Sequence, residues 1–158
     1  MMEKNAKIYV AGHRGMVGSA IVRELQRQGY TNIITRTHKE LDLCRQQDVE
    51  DFFAAEKPEY VFLAAAKVGG IVANQEALAD FMYYNMTLEM NAIHSAWQNG
   101  CKKLEFLGSS CIYPRMPCAA DTEQHNYAKK LRRMAARAYT KLQKRQRNTG
   151  KIRAEARV

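Results

Sequence analysis

The most restrictive feature of this sequence is a glycine-rich turn between a predicted strand and a predicted helix. The apolar run Lys7–Ala11 predicts the strand, and helical spacing of apolar residues predicts the helix over Met16–Gln28. The turn is the G-x-x-G-x-x-G motif of Gly12, His13, Arg14, Gly15, Met16, Val17 and Gly18. In this context the motif indicates a dinucleotide-binding unit, because glycine lets a diphosphate approach the backbone and the helix start attracts phosphate. A tight turn without a ligand is the alternative interpretation.

Strand and helix patterns then alternate along the chain. Strands are predicted at 32–36, 60–66 and 104–107, and helices at 45–57 and 87–98. This alternation predicts an α/β fold with a Rossmann-type parallel sheet. We expect the strand order 3-2-1-4, numbered along the chain, which makes the first and fourth strands neighbours at the ligand-binding edge.

The residues after the second predicted strand distinguish the two nicotinamide dinucleotides. An acidic residue there would bind a free ribose 2′-hydroxyl, whereas cations suit a 2′-phosphate. The segment Thr35–Lys39 contains no acid, and Arg36, together with Arg14 of the turn, offers planar guanidinium groups for phosphate. We therefore expect NADP(H) as the cofactor. Solvated surface cations are the alternative interpretation of these arginines.

The third and fourth predicted strands end in small or polar residues. Leu63–Gly70 would let the strand end lie beneath a flat ligand, although a packed loop has the same composition. The fourth strand leads into Leu107, Gly108, Ser109 and Ser110, and the expected strand order places Ser109 near the nicotinamide. Its hydroxyl could hydrogen-bond a carbonyl that is being reduced, and the Cys111 thiol could move a proton at the adjacent carbon. Ordinary turn chemistry is the alternative for the two serines.

Three segments, at 11–20, 63–74 and 106–114, resemble the GDP-L-fucose synthases, which are extended short-chain dehydrogenases; the resemblance extends over 7–115. It implies a homodimeric enzyme that epimerises a GDP-linked keto-deoxy sugar, GDP-4-keto-6-deoxy-D-mannose, at two carbons and reduces its ketone with NADPH. By position, Ser109 would polarise the carbonyl and Cys111 would act as an acid in the epimerisation. Asp42 and Leu43 would lie beside the adenine, and His38 stands where such enzymes often place an arginine for the 2′-phosphate.

One catalytic motif of these enzymes is missing from the sequence. They reduce through Tyr-x-x-x-Lys, in which the lysine lowers the tyrosine pKa for proton donation. No tyrosine of this chain is followed by lysine at the fourth position, and Tyr127 and Lys129 have the wrong spacing to share a helix face. The missing pair, and the missing sugar-nucleotide half of the family's chain, predict a truncated and inactive enzyme. A non-catalytic NADP-binding module, or another nucleotide-sugar epimerase, is the alternative.

Charge divides the chain into two parts. The net charge of +9 comes from residues 119–158, which hold twelve Lys/Arg and three Asp/Glu, whereas residues 1–118 are balanced. We therefore expect an incomplete NADP-binding domain at 1–118 and a basic tail, helical or disordered, at 119–158 that is foreign to the family. The tail has few aromatic residues among its cations, which disfavours a nucleic-acid partner.

The remaining composition indicates a cytoplasmic protein. The four cysteines form no Cys-x-x-Cys pair, so we expect free thiols, no disulfide framework and no metal site. The N-terminus lacks the long apolar segment of a signal peptide or a membrane span, so we expect no membrane partner.

Overall fold

The computed structural model describes residues 2–108, which form two compact units. The first unit consists of residues 2–67 and 83–108, and the second, within the described residues, of 68–82. The elements in chain order are β1 (Ile8–Ala11), α1 (Met16–Arg27), β2 (Ile33–Ile34), α2 (Gln46–Glu56), β3 (Tyr60–Leu63), α3 (Ile71–Glu76), α4 (Leu78–Gln98) and β4 (Lys103–Phe106).

The strands form one parallel sheet in the order β2-β1-β3-β4. The predicted parallel α/β architecture is confirmed, but the predicted order 3-2-1-4 is wrong. β3 pairs with β1 along its whole length, from Ile8 opposite Tyr60 to Ala11 opposite Leu63. β2 has only two residues and pairs with β1, so β1 and β3, rather than the first and fourth strands, are neighbours at the centre of the sheet.

Apolar side chains cover both faces of this sheet. All four residues of β1 are buried, which is typical of a central parallel strand. On one face Tyr9, Leu63 and Phe53 belong to the larger cluster, and on the other Ile8 and Val10 pack with Leu25 of α1 and with Tyr30. Burial of each large aliphatic side chain stabilises the fold by about 1.5–3 kcal/mol. The core therefore holds the carboxyl ends of β1 and β3 together.

Several predicted boundaries differ from the structure. The second strand ends at Ile34, so Arg36 follows it in a loop, and the third ends at Leu63. The helix predicted at 87–98 begins at Leu78 instead, because the segment from 78 to 86 is rich in Leu, Ala, Met and Tyr, which helices accept without a break.

The described residues also bear on disulfides, metal sites and membrane-spanning helices. Cys44 and Cys101 are free thiols. Within residues 2–108 no cluster of His, Cys, Asp and Glu has the arrangement of a metal site. No helix in that part of the chain combines the length and apolar character needed to cross a membrane.

Candidate dinucleotide-binding site

The glycine turn is fixed by close backbone contacts. Gly12 has a left-handed φ of 79°, and a Cβ on it would lie 2.7 Å from the Ala65 nitrogen. A Cβ on Gly18 would lie 2.2 Å from the Gly12 carbonyl oxygen. The Gly15 N–H donates to that same oxygen at 2.9 Å and closes the turn. The first and third glycines are therefore required by packing, which brings the start of α1 against the ends of β1 and β3.

A cleft of about 750 Å³ lies at this edge of the sheet, within the first unit. It is formed by the glycine turn, the loop after β2, the end of β3 and one side of α4. The lining residues are Tyr9, Gly12, His13, Arg14, Gly15, Arg36, Thr37, His38, Lys39, Leu41, Asp42, Leu43, Cys44, Ala64, Ala65, Ala66, Lys67, Tyr84 and Leu88.

The charged groups of this lining are mostly cationic. Arg14, Arg36, Lys39 and Lys67 carry positive charge, and Asp42 is the acid among the lining residues. α1 begins at Met16 with no acidic residue in its first turn, so the partial positive charge of its N-terminus adds to the same field. The cleft therefore favours an anionic ligand.

The Arg36 side chain is oriented by neighbours on two sides. Its Nη2 donates to Glu56 Oε1 at 2.7 Å, and its Nη1 donates to the Thr35 carbonyl at 2.9 Å. The guanidinium also lies 5.5 Å from the Phe52 ring centroid. Because Arg36 has five N–H donors in a planar group, these contacts fix its plane and leave donors for a phosphate in the cleft.

Asp42 organises the loop that follows. Its Oδ1 accepts from the Cys44 N–H at 3.0 Å and lies 3.6 Å from His38 Nδ1. The Leu43 carbonyl accepts from Asn91 Nδ2 at 2.9 Å, which ties the loop to α4. Burial raises the pKa of the Cys44 thiol, so this thiol stays protonated and uncharged at neutral pH. Buried Leu43 gives the cleft an apolar wall that suits a flat base.

The end of β3 forms the opposite wall. The Ala64 N–H donates to the Ala11 carbonyl at 3.1 Å, which continues the pairing of the two central strands. Asn85 of α4 accepts from the Lys67 N–H at 2.7 Å and donates to the Lys67 carbonyl at 3.0 Å. The Lys67 ammonium lies 3.9 Å from the Tyr84 ring centroid. These contacts fix an edge of small residues beside the cleft.

The structure brings together most of the predicted residues that it describes. Those lining one cleft are Gly12, His13, Arg14, Gly15, Arg36, His38, Asp42 and Leu43. Met16, Val17 and Gly18 do not line it: the first two side chains are exposed and Gly18 packs inside the turn. Leu107 and Gly108, which follow β4, are not among the lining residues either. Ser109, Ser110 and Cys111 lie outside the described residues.

Sequence reasoning missed part of the lining. Tyr9, Leu41, Tyr84 and Leu88 contribute to the cleft although no motif marks them. Tyr84 and Leu88 are four residues apart on α4 and so share a helix face, which is a signal that the sequence offers. Burial raises the pKa of the Tyr9 phenol, which therefore acts as a neutral part of the wall.

The fold and the turn together define a Rossmann-type α/β protein. Residues 8–146 match the model of the NAD dependent epimerase/dehydratase family. The chain belongs to that family.

Two curated relatives and one solved structure are similar to this chain over most of its length. GDP-L-fucose synthase 1 of Arabidopsis thaliana is 65% identical over 115 residues, which cover 73% of this chain and 36% of the relative. GDP-L-fucose synthase of Escherichia coli strain K12 is 56% identical over 110 residues, covering 70% and 34%. The structure of MlghC, GDP-mannoheptose C4 reductase from Campylobacter jejuni with NADP bound, superposes with a TM-score of 0.72 at 44% identity, covering 81% of this chain and 40% of that one. The chain thus spans about a third of the length of these curated relatives.

Proposed function

We propose that this chain is the cofactor-binding part of a GDP-L-fucose synthase and that it binds NADP(H) in the cleft beside the glycine turn. The observation that supports this most strongly is the junction of Gly12, Gly18 and Ala65, where no Cβ can be accommodated on either glycine. Such close packing places the start of α1 directly after Gly15, which lines the cleft, so the positive end of the helix can favour a diphosphate there.

In this proposal the cofactor lies across the sheet edge from β2 to β3. The adenine would lie against Leu43 and Asp42, and the 2′-phosphate would meet Arg36, with His38 beside it. The diphosphate would meet the turn at Arg14 and Gly15. The residues of the cleft fit NADP(H), since the cleft's cations are placed on both sides of the turn and the wall at Leu43 is apolar.

The proposed substrate is GDP-4-keto-6-deoxy-D-mannose, in keeping with the relatives that are named GDP-L-fucose synthase. Bound NADPH would supply the hydride for the ketone. Ser109 would hydrogen-bond the carbonyl oxygen, and Cys111 would donate a proton during epimerisation. Since the sequence has no Tyr-x-x-x-Lys, the chain lacks the family's proton donor for the reduction.

A second function is favoured by that same missing motif. A chain that keeps the glycine turn and the cationic cleft but lacks the proton donor would bind NADP(H) without turning over a sugar nucleotide. Both proposals share the cofactor site. Turnover of the sugar nucleotide by the purified chain would favour the first, and NADP(H) binding without turnover, which we expect, would favour the second.

We also propose that the chain forms a homodimer through α4. Tyr83, Met90 and Trp97 are spaced seven residues apart on this helix and are 64%, 60% and 74% exposed. A stripe of this spacing can pack against its own copy in a second chain, because the same positions meet across a two-fold axis.

The cofactor proposal is tested by titrating the chain with NADPH and NADH and following ligand fluorescence. We expect NADPH to bind more tightly, and Arg36→Ala to weaken NADPH binding by about 10- to 100-fold, the value of a charge-assisted hydrogen bond. NADH binding should change little. Arg45→Ala is the matched control, because Arg45 is exposed, pairs with Asp48 and lies outside the cleft. Equal affinities, or a preference for NADH, would contradict the proposal.

A further inference from the structure

The loop after β2 and the C-terminal end of α2 meet at one ion pair. Arg36 Nη2 donates to Glu56 Oε1 at 2.7 Å, although the two residues are twenty positions apart. Their side chains are 36% and 28% exposed. Because the pair is partly withdrawn from solvent, it is screened less than a surface pair and can hold a long side chain in one orientation.

The helix α2 contacts the Arg36 guanidinium at two positions. Phe52 and Glu56 are four residues apart on this helix, so they share a face. The guanidinium carbon lies over the Phe52 ring, 5.5 Å from its centroid, and the Glu56 carboxylate accepts the hydrogen bond from Nη2. The ring supports the flat face of the guanidinium, and Glu56 supplies the directional contact from this helix.

Lys7 keeps the Glu56 carboxylate from cancelling the charge of Arg36. Its ammonium nitrogen lies 3.4 Å from Glu56 Oε2, the oxygen that does not bind Arg36. The group of Lys7, Glu56 and Arg36 therefore has a net positive charge, and Arg36 is the member that lines the cleft. An arginine held in this way can still form a charge-assisted hydrogen bond with a phosphate.

We propose that Glu56 is a positioning residue, which holds the Arg36 guanidinium in place for the 2′-phosphate and so contributes to a preference for NADP(H) over NAD(H). This inference rests on the proposed function, in which Arg36 meets that phosphate. Ordering a long, flexible side chain during binding weakens affinity, and a side chain that is ordered beforehand avoids this loss. Glu56 itself does not line the cleft, so it acts through Arg36.

The test compares the affinities of NADPH and NADH, which differ by the 2′-phosphate, by calorimetry. We expect Glu56→Gln to lower NADPH affinity by about 2- to 10-fold, the effect of ordering one long side chain, and to leave NADH affinity within about 2-fold of wild type. Retained NADH binding also shows that the variant is folded. Glu24→Gln is the matched control, because Glu24 forms a similar ion pair with Arg27, at 2.7 Å, outside the cleft.

A double-mutant cycle shows whether Glu56 acts through Arg36. In the Arg36→Ala background, Glu56→Gln should no longer lower NADPH affinity. A loss that persists in that background, equal losses for NADPH and NADH, or unchanged or higher NADPH affinity in Glu56→Gln would overturn this inference and leave the proposed function standing. If the wild-type chain does not prefer NADPH, the proposed function fails, and the inference fails with it.

Discussion

Glu59, at the N-terminal end of β3, links three strands through one residue. Its carboxylate accepts from the Lys7 N–H at 3.1 Å and from the Lys102 ammonium. Its carbonyl accepts from the Lys102 N–H at 2.8 Å. The side chain therefore connects the segments that begin β1 and β4, at the end of the sheet opposite the cleft.

These contacts predict a pH-dependent contribution to stability. The Lys102 hydrogen bond, followed by the Lys7 N–H, lowers the pKa of Glu59 below its usual range. A carboxyl whose pKa is lower in the folded state stabilises at neutral pH, and this contribution is lost as pH falls through the folded pKa. Glu59→Gln should therefore lower the urea midpoint at about pH 7 and have little effect at about pH 2. An effect of equal size at both pH values would contradict this, and Glu76→Gln serves as the control for an exposed acid.

For single residues, the sequence predicts which side chains lie at the cleft better than it predicts their hydrogen-bond and ion-pair partners. The glycine spacing and Arg36 are visible in the sequence, and both lie at the cleft. The ion pair of Arg36 with Glu56 joins residues twenty positions apart on different elements, so no local pattern could predict it. The unpaired nitrogen of His13 depends in the same way on the fold of the whole turn.

At the scale of elements, periodicity predicts strands and helices but not which strands are neighbours. β1 is buried at every position, whereas β3 alternates between half-buried and buried residues. Both patterns fit a parallel sheet, and the choice between the predicted and observed order is decided by long-range pairing of β3 with β1. The predicted strand boundaries are wrong for a related reason. β2 ends where its pairing with β1 ends, and β-forming residues continue beyond that point.

The exposed stripe of α4, formed by Tyr83, Met90 and Trp97, can be tested as a dimer interface. If the chain dimerises through α4, Met90→Glu should shift it from dimer to monomer in sedimentation velocity experiments, because a charge replaces an apolar contact at the interface. Met16→Glu is the matched control, since Met16 is an exposed methionine on α1. Trp97 is the sole tryptophan of the chain, so its fluorescence should shift to shorter wavelength on dimerisation. A wild-type chain that is monomeric at all accessible concentrations would rule out this interface.

For the whole molecule, the sequence predicts a cofactor site without a complete reaction site. No tyrosine of the chain is followed by lysine at the fourth position. We therefore expect the purified chain to bind NADPH but not to consume it with GDP-4-keto-6-deoxy-D-mannose. A positioned general acid contributes about 10²- to 10⁴-fold to rate, so its loss alone would lower turnover by about that factor. Substrate-dependent loss of NADPH absorbance, from chain free of any full-length enzyme, would contradict this expectation.

We propose that NADP(H) lies across the carboxyl ends of β1 and β3 and reaches the loop after β2. Hydrogen exchange measured by mass spectrometry, with and without NADPH, tests this most directly, because amides that gain a ligand contact exchange more slowly. We expect slower exchange in peptides that contain Gly12–Gly18, Arg36–Leu43 and Ala64–Lys67, and unchanged exchange around Lys102. Unchanged exchange in Gly12–Gly18 at saturating NADPH, or protection confined to other parts of the chain, would contradict it.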